Sequence, residues 1–363
     1  MKIILTKLKA ISGIYLFSAG IFLFGSIILI GIFLYQPAGD VSDIAFELDD
    51  DVMDKNCEYH RLLDGVCVED KQDVDPPLVG IMIENHYDAR PLSGLGLASV
   101  VYEAPVEGNF NRFLAIYPAD APVTKAGPVR SARPYYLDWV SEYPGMMYMH
   151  VGGSPDALSD IKKYDLFDIN EMYRGWYFWR SKDRYMPHNV YTSQELWEKA
   201  MADYGETGSG MLETGYEPWT FASMDACAED CVEKITTTYS GQTYQATWKY
   251  NTSTEQYERY ELGDAVFDAG SGDHVAVDTL IVQYVDTTVL DGVGRLGMDT
   301  IGSGEAIVFR NGFKVEGEWQ KDSREGRTVF VDSADKAIAL KPGKIWIVVM
   351  NRVGEVSFNM NNE

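Results

Sequence analysis

From Ile11 to Tyr35 the chain runs for 25 residues without a charged side chain. A helix of about 20 apolar residues spans a bilayer, whereas the apolar part of a cleaved secretory signal is only about 7–15 residues long. Neither an Ala-x-Ala-type cleavage site nor a lipid-attachment cysteine stands near the end of the run. The run therefore predicts an uncleaved, single-pass membrane anchor. Lys2, Lys7 and Lys9 precede it and acidic residues follow from Asp40. That asymmetry places residues 1–10 in the cytoplasm and the bulk of the chain outside the cell. Everything after the anchor must then fold as an exported protein, where disulfides persist.

The cysteines suit that address. There are four, Cys57, Cys67, Cys227 and Cys231, in two local pairs. Each pair reads as a disulfide, and closing Cys57 to Cys67 contributes about 3 kcal/mol in the chain-entropy account. Zinc binding is disfavoured, because the pairs lack two-residue spacing and a nearby histidine pair. Asp and Glu outnumber Lys and Arg by 55 to 31, for a net charge of -24. This excludes nucleic acid as a partner, since such binding asks for a basic surface. It is compatible with a divalent cation; no other cofactor is implied.

Residues 36–77 are acidic and aperiodic and end in Pro76-Pro77, which predicts an extracellular stalk. Residues 78–204 then read as an α/β (α+β) domain. Continuous apolar runs at 78–84, 99–104, 111–117 and 146–151 are strands. Pro134 after Arg133 opens a helix, Ser154-Pro155-Asp156 opens a second, and Thr192-Ser193-Gln194-Glu195 is a capping box for a third. Residues 205–232 are read as a linker. Residues 233–363 carry short strand patterns separated by Gly, Asn and Asp turns, and predict a mostly-β domain.

The first domain holds the candidate site. Residues 78–200 carry seven of the fourteen arginines and three of the five histidines on about a third of the chain. In Gly127-Pro128-Val129-Arg130-Ser131-Ala132-Arg133-Pro134 two arginines stand beside a helix start, where free N–H groups favour an anion. Gly152-Gly153-Ser154 repeats the arrangement after His150. The expected ligand-binding set is Arg112, Arg130, Ser131, Arg133, His150, Gly152, Gly153, Ser154, Arg180 and His188. Arg180 and His188 come from an aromatic, basic loop at 172–191. Glu103 and Glu107, around the hairpin that leads to Arg112, are candidate catalytic bases. Glu84, His86 and Asp88 are candidates for a metal. The competing expectation is that the arginines pair internally with Glu84, Glu103, Glu107 or Asp138.

Several of these motifs fall in the order seen in one family. "VGIMIENHYDARPLSGLGLASVVYEAPVEGNFNRFLAIYP", "GPVRSARPYYLDW", "HVGGSPDAL" and "PHNVYTS" resemble the YerB-like family, a bacterial envelope domain of unknown function. "GSGEAIVFRNGFKVEGEWQK" and "IALKPGKIWIVVM" are similar to that family's C-terminal β domain. The resemblance implies architecture and address, not a reaction. Family members are typically lipoproteins, from which this chain departs by its apolar span. A looser likeness in style to the LytR-CpsA-Psr transferases transfers no residue. Three functions are therefore expected in turn: binding of a cell-wall or lipid-linked anion, phosphoryl or glycosyl transfer or hydrolysis, and a structural or partner-binding role with protein partners unspecified.

Overall fold

The computed structural model describes residues 57–360 except 109, 205–214, 240 and 353. The expected anchor at 11–35 and cytoplasmic tail at 1–10 lie outside these residues. No helix among the described residues is long and apolar enough to cross a membrane.

A mixed ten-stranded sheet organises the described chain. Its strands are β1 (Leu78–Glu84), β2 (Val100–Pro105), β3 (Asn111–Pro118), β4 (Met147–His150), β5 (Asp168–Asn170), β6 (Thr279–Tyr284), β7 (Gly302–Arg310), β8 (Phe313–Lys321), β9 (Val329–Val331) and β10 (Ile345–Met350). Their order is β9-β8-β7-β6-β10-β2-β3-β1-β4-β5. Strand β10 runs parallel to both β6 and β2, and so joins the late half of the chain to the early half. The expected domains 78–204 and 233–363 thus do not close separately: they share one sheet. The reason lies in composition. The all-apolar run IWIVVM of β10 and LVGIMIE of β1 are buried throughout, as strands covered on both faces must be.

One face of the sheet packs on helices α1 (Pro134–Val140) and α2 (Pro155–Lys163), with Tyr102, Leu114, Tyr136 and Trp139 in its core. The other face carries Ile81, Phe113 and Trp346, against Trp197 of helix α3 (Gln194–Tyr204) and Trp248 of a second, antiparallel six-stranded sheet. That sheet is built mainly from Val232–Thr238, Gln245–Asn251, Gln256–Glu261 and Glu355–Met360. The apolar stretch 275–285 divides between the two sheets, Ala276–Val277 pairing in the second and Thr279–Tyr284 in the first. The architecture is α+β with a mostly-β C-terminal region.

Two segments read as extensions are part of the packed body. From Cys57 onward the expected stalk folds back: Tyr59–His60 pairs with Cys67–Val68, Cys57 is bonded to Cys67, and Leu63 is fully buried. Within the expected linker, Tyr216, Trp219 and Phe221 are buried in the first core, and Cys227 is bonded to Cys231. Aromatic side chains inside a Gly- and Ser-rich stretch are what convert it from a tether to a strap.

Candidate functional site

Strands β1 and β4 lie side by side and parallel, and the segment 128–132 crosses their carboxyl ends. Pro128 O accepts from Glu84 N at 3.0 Å, Arg130 N donates to Met82 O at 2.9 Å, and Val151 N donates to Arg130 O at 3.0 Å. Gly127 enables the entry: it has φ +139°, and a Cβ there would meet Val190 O at 2.8 Å. Arg133 is extended, and proline at the first helical position starts α1. The carboxyl edge of parallel strands is where open α/β sheets present loops to ligands.

Three arginines gather there. Arg133 makes a forked pair with Glu107, Nε to Oε1 at 2.6 Å and Nη2 to Oε2 at 2.8 Å. Arg130 Nε stands 3.0 Å from Glu84 Oε1, without the alignment of a hydrogen bond. Glu84 also accepts from His188 Nδ1 at 2.7 Å. Arg112 is different. It is 1% exposed and donates from Nη1 to the Ser131 carbonyl at 2.5 Å. Its Nε has no hydrogen-bond partner, and no carboxylate of the described residues forms an ion pair with it. Burial first, then the charges of Arg133 and Arg130, push its pKa down to about 10. Nearby Tyr148 is buried within electrostatic reach of Arg112 and Arg133, and its hydroxyl is also unpartnered. Tyr148 is absent from the sequence-derived set. The signal for it was strand alternation, which puts it on the same face as His150; the two rings stack at 5.0 Å.

Other expected residues have structural positions. Glu103 is fully buried on the opposite face of the sheet from Arg112, because β2–β3 register pairs Arg112 with Ala104. It is held by Arg259 at 2.9 and 3.1 Å, by Trp346 Nε1 at 2.8 Å and by Asn111. A carboxylate sealed in this way has no access to substrate, so Glu103 is corrected from candidate base to structural ion pair. His150 is fully buried, with Nδ1 against Gly152 O at 2.7 Å and Nε2 against Asp168 at 3.1 Å. The turn at Gly152-Gly153 is internally satisfied as well. Gly152 N donates to Asn170 Oδ1, Gly152 O accepts from Ala132 N, and Ser154 Oγ accepts from Ala157 N. Arg180 is engaged by Glu171 and Asn189. Asp138, one of the internal partners considered, pairs with Arg324 instead. Glu84, His86, Asp88 and His188 do come together: His86 and His188 stack at 5.0 Å, and Asp88 adjoins His86. A cavity of about 310 Å³ is lined by Tyr143, Tyr164, Asp168 and Arg174, and none of the three arginines lines it.

The Glu107–Arg133 fork makes a pH prediction. Burial raises the Glu107 pKa, but the Arg133 hydrogen bonds and charge outweigh it, and the net shift is downward from 4.5. A depressed carboxylate adds stability that is present above its unfolded value and lost as pH falls through the folded one. Glu107→Gln is therefore expected to destabilise the protein at neutral pH and to flatten the acid side of its stability curve. Chemical denaturation across the carboxylate range checks this; an unchanged acid limb would show that the fork contributes nothing.

A sheet shared by both halves of the chain, roofed by a second sheet and edged with arginines, defines an α+β protein with its candidate site on one rim. Residues 63–207 match the family described as "Protein of unknown function (DUF3048) N-terminal domain", and residues 235–347 its C-terminal domain. The chain belongs to this YerB-like DUF3048 family. It is 30% identical over 275 residues to "Putative lipoprotein YerB" of Bacillus subtilis (strain 168), covering 75% of this chain and 80% of that one. The crystal structure of YerB protein from Bacillus subtilis is similar to it with a TM-score of 0.72 and 28% identity, over 83% of this chain and all of the other.

Proposed function

We propose that this is an extracytoplasmic envelope protein, held to the membrane through residues 11–35, that binds an anionic group around Arg112. The lipoprotein name of its Bacillus subtilis relative supports the address; a lipid anchor and an N-terminal span put the folded part on the same side. The observation that carries the binding reading is Arg112, a buried guanidinium with no carboxylate, between two arginines already held by Glu84 and Glu107. A guanidinium whose Nε donor is unpartnered suits phosphate, pyrophosphate or an acidic glycan. Transfer chemistry draws no support from the geometry, since Glu103 is sealed and Glu107 is forked to Arg133.

The test is a melting screen of the full chain against pyrophosphate, a polyprenyl-phosphate analogue and cell-wall fragments. Stabilisation by at least one, removed in the Arg130→Ala, Arg133→Ala double variant, is the expected result. A parent indifferent to all of them would overturn the reading. One observation favours a partner-binding role instead: Tyr173, Trp176 and Tyr185 are 77%, 56% and 93% exposed on the loop 172–191. That reading predicts no response to any anion.

A further inference from the structure

We propose that His86, Asp88 and His188 form a binding site for a divalent transition-metal ion such as zinc. One ligand atom from each lies within 4.8 Å of the others. His86 and Asp88 stand in the loop that leaves the carboxyl end of β1; His188 arrives from the far end of the loop 172–191. Chain folding, not local sequence, brings them together, and the two imidazoles stack at 5.0 Å with their planes 19° apart.

His188 is oriented as metal-bound histidines are, by a carboxylate on the ring nitrogen that would not face the metal. Its Nδ1 lies 2.7 Å from Glu84 Oε2. With that carboxylate accepting, the proton is on Nδ1 and the Nε2 lone pair is available. Glu84 is itself fixed, 1% exposed and 3.0 Å from Arg130. His188 is thus the anchored ligand, whereas the side chains of His86 and Asp88 are 27% and 51% exposed and are held by ring contacts of His86 with Tyr87 and Phe110 and by each other. Tetrahedral zinc with nitrogen and oxygen ligands sets its donors about 3.3 Å apart. His86 Nδ1 and Asp88 Oδ2 are already 3.5 Å apart. The remaining closure falls on these two side chains, and His86 gives up a 3.2 Å contact from Asp88 N.

Two imidazoles and one carboxylate select a borderline metal. Magnesium and calcium prefer oxygen ligands throughout. Three protein donors leave a fourth position for water or for a ligand oxygen. This inference goes beyond the anion reading and does not depend on it; Arg130 touches both only by holding Glu84.

The test uses untagged full-length protein in detergent, stripped with EDTA and dialysed against zinc, with bound metal counted. One retained zinc per chain is expected, with magnesium and calcium not retained. Cobalt(II) in its place is expected to give the visible bands of nitrogen-ligated, low-coordinate cobalt. His86→Ala, at a partly exposed position, abolishes stoichiometric retention while its melting in EDTA matches the parent. Asp88→Asn serves as the second variant should His86→Ala not fold. Glu84→Gln, acting through His188, weakens zinc about 10–100-fold. A parent that retains no zinc, or a His86→Ala protein that retains as much as the parent, overturns the proposal.

Discussion

Glu103→Ala is expected to lower the stability of the folded chain by about 3–5 kcal/mol, the range for removing one partner of a buried ion pair. Glu103 is fully buried and Arg259 is 2% exposed, so the substitution strands a guanidinium where water cannot reach it. The guanidinium is packed among aromatics, 4.8 Å over the Trp346 ring and 5.1 Å over Trp248. Its remaining partner, Glu261 at 2.9 Å, also pairs with Arg90. Trp346 Nε1 and Asn111 lose an acceptor in the same step. Because Glu103 is on β2 and Arg259 on the second sheet, the loss loosens the packing of one sheet on the other. Urea denaturation of the parent and of Glu103→Ala measures it. The double variant Glu103→Leu, Arg259→Met removes both charges and is expected to recover part of the loss. If the double variant is no better than the single one, the cost is lost packing and not a stranded charge.

The same pair shows where reading the sequence stops. Local signals place β1, the start of α1 at Pro134 and the capped start of α2 correctly, because each depends on a few neighbouring residues: an apolar run, a proline, a serine cap. Glu103 and Arg259 are 156 residues apart, and no local pattern links them. Nor does the sequence state the β2–β3 register, and a shift of one residue moves a side chain to the other face. Glu103, Glu107 and Arg112 lie close along the hairpin, yet Glu103 faces the second sheet and Arg112 faces α1. The two halves share a sheet for a related reason. The composition changes near residue 204, but β10, the most apolar late strand, finds its partners in β2 and β6. The arginine cluster was legible as an excess of positive charge in an acidic chain. Which arginine lacks a carboxylate was not, since that depends on three separate strands and loops arriving at one rim.

Arg112→Met is expected to hold or raise the stability of the ligand-free protein and to abolish its response to anions. Burial and two neighbouring arginines bring the Arg112 pKa from 12.5 to about 10. For a basic group, a lowered folded pKa means that the unfolded chain binds the proton more tightly. Stability therefore rises with pH between the folded and unfolded values, and the full penalty applies below the folded one. A shift of that size corresponds to roughly 3 kcal/mol against the charged side chain at neutral pH. Methionine has a similar reach and no charge, and beside Leu114 and Tyr148 it removes that penalty, offset by an unpaired Ser131 carbonyl. Affinity moves the other way. Two charge-assisted hydrogen bonds at about 1.5–3 kcal/mol each amount to a loss of about a hundredfold or more. Pyrophosphate titration by calorimetry, with melting in the absence of ligand, reads both effects on the same samples. A variant that melts lower than the parent, from a parent that binds no anion, would make Arg112 a structural residue whose partner is the Ser131 carbonyl alone. A variant that melts as high or higher while its anion response disappears leaves ligand binding as the reason a guanidinium is kept at that position.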